Sequence, residues 1–216
     1  MNARTLGIIL TGMLALSACT APESSLGEMT APAVPNGPLA RLAPLVKPLW
    51  RVGDQWQYSD GYALQVSETA GPVAKFERLD APDQWFIADG FFRNKSHSGS
   101  ATREVVFRSE TLDQLNQFYG APIGQPIVFI REYLKDKELV RHQDSWVVEG
   151  KERISVPAGT FDTFVIVMRT RSLTSDWTGY ERWWYAPAVR NYVRMEYKYG
   201  QFPDGSRVLQ SFRLAS

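Results

Sequence analysis

Few side chains in this 216-residue chain are of the kinds that carry out chemistry; there are two histidines and one cysteine. His142 stands two positions before Asp144, and with Ser96 or Ser98 these would supply the three members of a Ser–His–Asp hydrolase. No G-x-S-x-G turn is present to hold such a serine in an exposed elbow. His97 falls in the polar stretch Lys95–Ser100, which reads as a loop. Two histidines and a cysteine used elsewhere do not make a zinc site, so no metal and no cofactor are expected. The carboxylate pairs Glu149 with Glu152 and Asp136 with Glu138 read as solvated faces; glycosidase chemistry would need two carboxylates at a set separation across a cleft. No glycine-rich phosphate loop occurs. No catalytic residue is therefore assigned, and a non-enzymatic role is expected. The remaining candidates are Trp183, Trp184 and Tyr185. Consecutive aromatics of this kind serve sugars, lipids and partner proteins, or pack the centre of a sheet.

The single cysteine has a more definite context. Met1 to Arg4 form a short basic n-region, and Leu6 to Leu16 an apolar run. Ser17 and Ala18 then place small residues before Cys19. The apolar run is shorter than the ~20 residues that a membrane-crossing helix needs. Leu16-Ser17-Ala18-Cys19 resembles the lipobox of bacterial lipoproteins. That resemblance implies cleavage after Ala18 and lipidation of Cys19, with a cell-envelope address. Thr20, where an aspartate would favour the inner membrane, leans toward the outer membrane. One cysteine cannot close an internal disulfide, and acylation removes the free thiol that an exported chain would otherwise carry.

Residues 19–49 differ in composition. Six of the 13 prolines fall here, and none of the 27 aromatic residues does. Such a stretch cannot bury enough apolar surface to offset its ordering entropy, and it reads as a flexible tether. The alternative is that Leu39 to Leu49 pack on the following domain as a strap. The expected organisation is thus signal peptide 1–18, lipidated cysteine and tether 19–49, and one globular domain 50–216.

The elements that must position the candidate residues are strands. Phe164, Ile166 and Met168 alternate with Val165, Val167 and Arg169, and Val193, Met195 and Tyr197 with Arg194, Glu196 and Lys198. Val208, Phe212 and Leu214 alternate with Leu209, Ser211 and Arg213. Turn signals such as Ser59-Asp60-Gly61 and Pro203-Asp204-Gly205 separate the runs. One helix is plausible, over Ser109 to Phe118, with Leu112, Leu115 and Phe118 on its apolar side. About ten strands joined by hairpins imply an all-β domain: a single antiparallel, strongly curved sheet or open β-barrel, with at most one or two short helices. A two-sheet sandwich is the alternative.

Three phrases stand out: Trp50-Arg51-Val52-Gly53-Asp54-Gln55-Trp56-Gln57-Tyr58, Val156-Pro157-Ala158-Gly159-Thr160-Phe161, and Trp184-Tyr185-Ala186-Pro187-Ala188-Val189-Arg190. The second reads as a hairpin turn, with Pro and Gly at turn positions and Phe161 packing back beside it. In the third, Pro187 ends a strand that carries large aromatics on both faces. Together the phrases resemble an uncharacterised family of bacterial envelope proteins with VPAGTF and YWYAP motifs. Glutamate and glycine are usual in that family at the positions of Ala188 and Arg190. The resemblance implies fold and compartment, and no activity.

The domain carries no net charge, which argues against nucleic acid. Its basic residues lie late: residues 163–216 hold 8 basic and 4 acidic side chains. Arg169, Arg171, Arg182, Arg194 and Arg213 either share a face that meets phosphate groups or an acidic partner, or pair across strands with earlier acids. The expected function is an envelope binding or assembly module, held on the membrane through Cys19, whose partner is an envelope protein, a glycan or a lipid. A carrier of apolar ligands in a β hollow and a hydrolase of envelope polymers are the alternatives.

Overall fold

The computed structural model describes residues 43–99, 101–106, 109–135 and 138–216. Ala18, Cys19, the tether up to residue 42 and Asp136 lie outside the described residues. The domain is all-β, as the alternation predicts. Twelve strands close into one antiparallel barrel: β1 (Gln55–Tyr58), β2 (Ala63–Ala70), β3 (Val73–Arg78), β4 (Trp85–Asp89), β5 (Phe92–Ser98), β6 (Ala101–Val106), β7 (Ile127–Lys135), β8 (Glu138–Val156), β9 (Gly159–Ser172), β10 (Thr178–Ala186), β11 (Asn191–Tyr199) and β12 (Gly205–Arg213). Each strand pairs with the next in sequence. β12 returns to β1 through Trp56↔Phe212 and Gln57↔Ser211. The sheet thus goes beyond an open barrel and closes on itself.

The stretch expected as a polar loop around His97 is strand β5. Its sequence is polar on both faces, which removes the alternation that would reveal a strand. His97 shares a 2.8 Å hydrogen bond with Thr102 and stacks on Trp85. Helix α1 (Ser109–Gln117) forms where expected. Its buried side is Thr111, Leu115 and Phe118, however, and Leu112 points to solvent. On β12 the fully buried residue is Leu209, whereas Phe212 is exposed. A register shift beside Gln57 and Tyr58 sets Leu209 opposite Tyr58 and Phe212, near the strand end, opposite Trp56.

Up-and-down connectivity sorts the turns between two ends. Helix α1 and the β2–β3, β4–β5 and β10–β11 turns gather at one end; the β1–β2, β5–β6, β7–β8 and β9–β10 connections gather at the other. The first end is stoppered. Leu115 of α1 and Phe118 just after it pack with Phe91, Phe92, Phe129 and Trp146, and Leu45 joins them. Residues 43–49 lie on the barrel as a strap, with Leu45 and Pro48 buried and Lys47 Nζ 3.1 Å from Asp89.

The opening phrase and the Ala186-Pro187 phrase meet at this end. Trp50 Nε1 donates to the carbonyl of Arg190 and Trp56 Nε1 to that of Val189, each at 2.7 Å. Tyr58 donates to the carbonyl of Tyr192 at 3.0 Å. Asp54, with no exposed surface, accepts from Arg190 Nη1 at 2.9 Å and from the backbone N–H groups of Arg51 and Ala215. Arg190 has φ +58°, the left-handed region that favours glycine. Its side chain offsets that strain by neutralising Asp54.

β8 and β9 run on past the barrel as a long hairpin. A register shift between Val148 and Gly150 bends it, and Pro157-Ala158 forms the tip. The tip reaches β12, where Ala158 N–H donates to the Leu209 carbonyl at 3.2 Å. Phe161 meets Phe212, with ring centroids 6.1 Å apart. Gly159 has φ +137°, and a side chain there would press on the Phe161 ring. The turn phrase is thus the tip of an arm that clasps the outside of the barrel.

Candidate ligand-binding hollow

The barrel interior is not filled along its whole length. Inward alternation on β1–β4, β11 and β12 places Trp56, Tyr58, Leu64, Phe76, Tyr192 and Leu209 in one packed cluster. The walls from β5 to β11 instead enclose a hollow of about 690 Å³. That is within the ~300–1,000 Å³ typical of pockets for small molecules. It opens toward the unstoppered end, where Ser172, Thr174, Ser175 and Trp177 of the β9–β10 connection line it.

Its lower wall is apolar. Phe92, Phe129, Trp146, Met168 and Trp183 line it, and Trp146 meets Trp183 edge-on with centroids 5.2 Å apart. Its upper wall is polar. Asp144, nearly fully buried, accepts a 2.6 Å hydrogen bond from Thr170 and lies 2.9 Å from Arg131 Nε. That last contact is an ion pair whose angle is off the line of a hydrogen bond. His142 lies between the Arg131 guanidinium and the ring of Trp177, which stacks on it at 4.9 Å. Burial first, and Arg131 second, hold the His142 pKa below its ordinary value; Asp144 opposes them weakly. Glu181 accepts from Trp183 Nε1 at 2.8 Å and from the Tyr199 hydroxyl. Burial, and then Glu181 itself, push the Tyr199 phenol well above its usual pKa.

Trp177 is seated at the rim by two glycines. A Cβ at Gly200 (φ +56°) would come within 2.9 Å of its ring, and one at Gly179 within 3.0 Å. Any larger residue at either position would displace the ring from His142.

Two arginines complete the hollow. Arg93 follows inward-facing Ala88 in the ladder register, and Arg103 pairs with inward-facing Ser96. Arg93 is exposed although it stands on the inner wall, because it borders the hollow. Its guanidinium lies 4.2 Å over the Phe86 ring. Among the described residues no carboxylate pairs with Arg93 or Arg103. Lys95, which also borders the hollow, pairs with Glu104 at 3.2 Å.

The sequence candidates distribute as follows. Trp183 reaches the hollow. Trp184 faces the opposite way; Arg182 and Arg194 cover its ring, and its N–H donates to Glu152 of the arm. Tyr185 is packed below the hollow against Phe91. His142 and Asp144 both line the hollow. No hydroxyl bonds to His142 among the described residues, and Asp144 is committed to Thr170 and Arg131. Glu149 bridges Arg169 at 3.6 Å and Arg182 at 3.3 Å. Arg171 donates to Gln143 and Arg194 to Glu196. Four of the five late arginines thus meet neighbouring side chains in place of a shared bare face. Sequence reasoning missed Arg93, Arg103 and Arg131, which sit on strands whose inward face is wet.

These features define a class: a meander barrel with a stoppered end and a ligand-sized, partly charged hollow. The fold has a counterpart among solved structures. The hypothetical lipoprotein YmcC from Escherichia coli matches at a TM-score of 0.50 with 11% identity, over 76% of this chain and 84% of that one. Further similarities are to a protein from Parabacteroides distasonis described as a lipoprotein (TM-score 0.39, 17% identity, 80% of this chain and 100% of that one) and to an exported protein with YmcC-like fold from Bacteroides fragilis (0.34, 14%, 79% and 100%). The likeness is one of fold. No family model matches the chain, and no curated protein matches it in sequence.

Proposed function

We propose that the chain is a cell-envelope lipoprotein whose barrel is a non-enzymatic binding module for a small amphiphilic ligand. The observation that carries this reading is the hollow of about 690 Å³, walled by aromatic rings and charged groups together. A barrel used only as a scaffold gains nothing from it, since an unfilled interior forfeits packing energy. Among the binding readings, the hollow favours a small ligand over a protein partner. Hydrolysis is disfavoured because His142 is wedged between Arg131 and Trp177, and Asp144 and Glu181 are each held by donors. The address rests on the lipobox-like Leu16-Ser17-Ala18-Cys19, with cleavage after Ala18, acyl chains on Cys19, and Thr20 favouring the outer membrane. Two or three acyl chains anchor a protein firmly, at ~0.8 kcal/mol per buried CH₂.

Mass spectrometry of the protein purified from membranes, before and after organic extraction, tests both parts. The expected result is a lipid-modified Cys19 and a non-covalent adduct that extraction removes. An unmodified Cys19 would overturn the anchor. The binding role fails if no adduct is found and no apolar probe binds.

A further inference from the structure

Arg93 is the residue that the packing of the barrel explains least. It projects from the second position of β5, near the stoppered end, so its guanidinium sits deep in the interior. Aromatic side chains surround it: Phe86 lies beneath the guanidinium, Trp183 and Phe91 border the same space, and a narrow remnant of about 40 Å³ continues beside it toward Tyr185 and Tyr192. Three other inward-facing arginines have counter-ions. Arg78 pairs with Asp80, Arg207 with Asp60 and Arg131 with Asp144. Arg93 has none among the described residues. Glu181, which lines the same hollow, has both oxygens engaged by Trp183 and Tyr199. Arg103, higher on the same side, is likewise unpaired.

A fixed cation inside a protein costs free energy unless an anion or water neutralises it. A guanidinium also carries five N–H donors in a planar fork that fits a carboxylate or a phosphate. Resting on the binding-module reading above, we propose that the hollow selects amphiphiles bearing an acidic group. The acid is bound by Arg93, with Arg103 as an auxiliary cation, and the apolar part lies against Phe92, Phe129, Trp146 and Trp183. The shared chemistry is an oxyanion on an apolar chain, supplied by a free fatty acid or by a lipid phosphate.

The test uses the full chain in nanodiscs of neutral phosphatidylcholine. A fluorescent dansyl-undecanoic acid and its methyl ester are titrated into the wild type, Arg93→Gln, Arg93→Lys and Arg103→Gln. One charge-assisted contact predicts that the acid binds about tenfold or more tighter than the ester. Arg93→Gln should bring the two within about threefold by weakening the acid alone, and Arg93→Lys should restore part of the difference. Arg103→Gln should give a smaller loss. Unchanged ester binding in Arg93→Gln shows that the barrel is intact. Competition with oleate and with oleoyl lysophosphatidic acid separates the two sources of the anion, and displacement by either supports the proposal. Equal affinity for acid and ester in the wild type, or a preference that survives Arg93→Gln, overturns the proposal and leaves the binding role standing. Failure of both probes to bind overturns the binding role itself.

Discussion

The two sides of this barrel's interior are built from the same inward alternation of large side chains, yet one is solid and the other is open. Where β1–β4 meet β11 and β12, rings on strands that are not neighbours touch: Tyr58 stacks on Tyr192 at 4.7 Å and Trp56 meets Phe76 at 6.2 Å. Near the far end of that side, Tyr62 lies between the guanidinium groups of Arg78 and Arg207, at 4.2 and 4.0 Å, and each cation has its own aspartate. Between β5 and β10 rings such as Phe92 and Trp146 meet only at the bottom, and the space above them stays open. Arg93 and Arg103 face it without counter-ions among the described residues, and Trp177 leans over the rim. Apolar content does not set the two sides apart. What differs is whether the ring contacts leave open space beside them and whether, among the described residues, each inward arginine has a counter-ion.

The strongest way to break the comparison is at the lock of the packed side. Asp54→Ala leaves Arg190 without its partner in the stopper and removes the acceptor for two backbone N–H groups. It should cost about 3–5 kcal/mol in denaturant unfolding; a loss below ~1 kcal/mol would show that the stopper does not hold the barrel closed. Next come two tryptophans. Trp56→Ala should cost about 3–5 kcal/mol, because it opens a cavity in a filled core and orphans the Val189 carbonyl. Trp183→Ala, on a wall that already borders open space, should cost about 2 kcal/mol or less, and should weaken binding of the apolar ester probe. Equal costs would erase the distinction between the sides.

Arg190→Gly sharpens the comparison at smaller amplitude. It relieves a left-handed backbone but strips Asp54 of its cation. A net loss of about 1–2 kcal/mol is expected, less than for Asp54→Ala, because the N–H groups of Arg51 and Ala215 still bind the carboxylate. The smallest effect concerns pH. The folded His142 pKa lies below 6.5, so the unfolded chain takes up a proton that the folded chain refuses. The stability from this residue is present above about pH 6.5 and is lost as pH falls through the folded pKa. His142→Phe should flatten unfolding midpoints over that window. Asp80, held at about 2 by Arg78, acts lower: its contribution is present above 3.8 and disappears as pH approaches 2. Both aspartate and arginine are partly exposed, which keeps that contribution small.

Much of the packed side was legible in the sequence. Alternation in Val193 to Lys198 marks β11 there, and Phe164 to Arg171 marks β9 on the opposite wall, because their inward faces are apolar. The three motif phrases mark the stopper and the arm, although nothing local shows that Asp54 meets Arg190, 136 positions away. The hollow side was not legible, for a physical reason. On β5 and β6 the inward face is wet, so Arg93 and Arg103 look like solvent-exposed residues, and the strand around His97 looks like a loop. Register shifts at Ile87/Ala88 and Trp184/Tyr185 add to this, since each changes the face that parity assigns on one of the paired strands. Trp183 was found among the candidates because it is aromatic, and its separation from Trp184 follows from the pleat alone.

The strap and β1 enter the barrel at its stoppered end, and this has a mechanical meaning. A pull on residue 43 along the barrel axis would draw first on Leu45, Pro48 and Trp50, and then on β1 lengthwise. β1 is flanked by β2 and β12, so both ladders would resist in shear, with their hydrogen bonds strained together instead of parting one after another. Asp54 ties the start of that strand to the backbone of Ala215, just past the end of β12. Tension would therefore be carried at the stopper, and the open rim around Trp177 and His142 would be the last part to feel it.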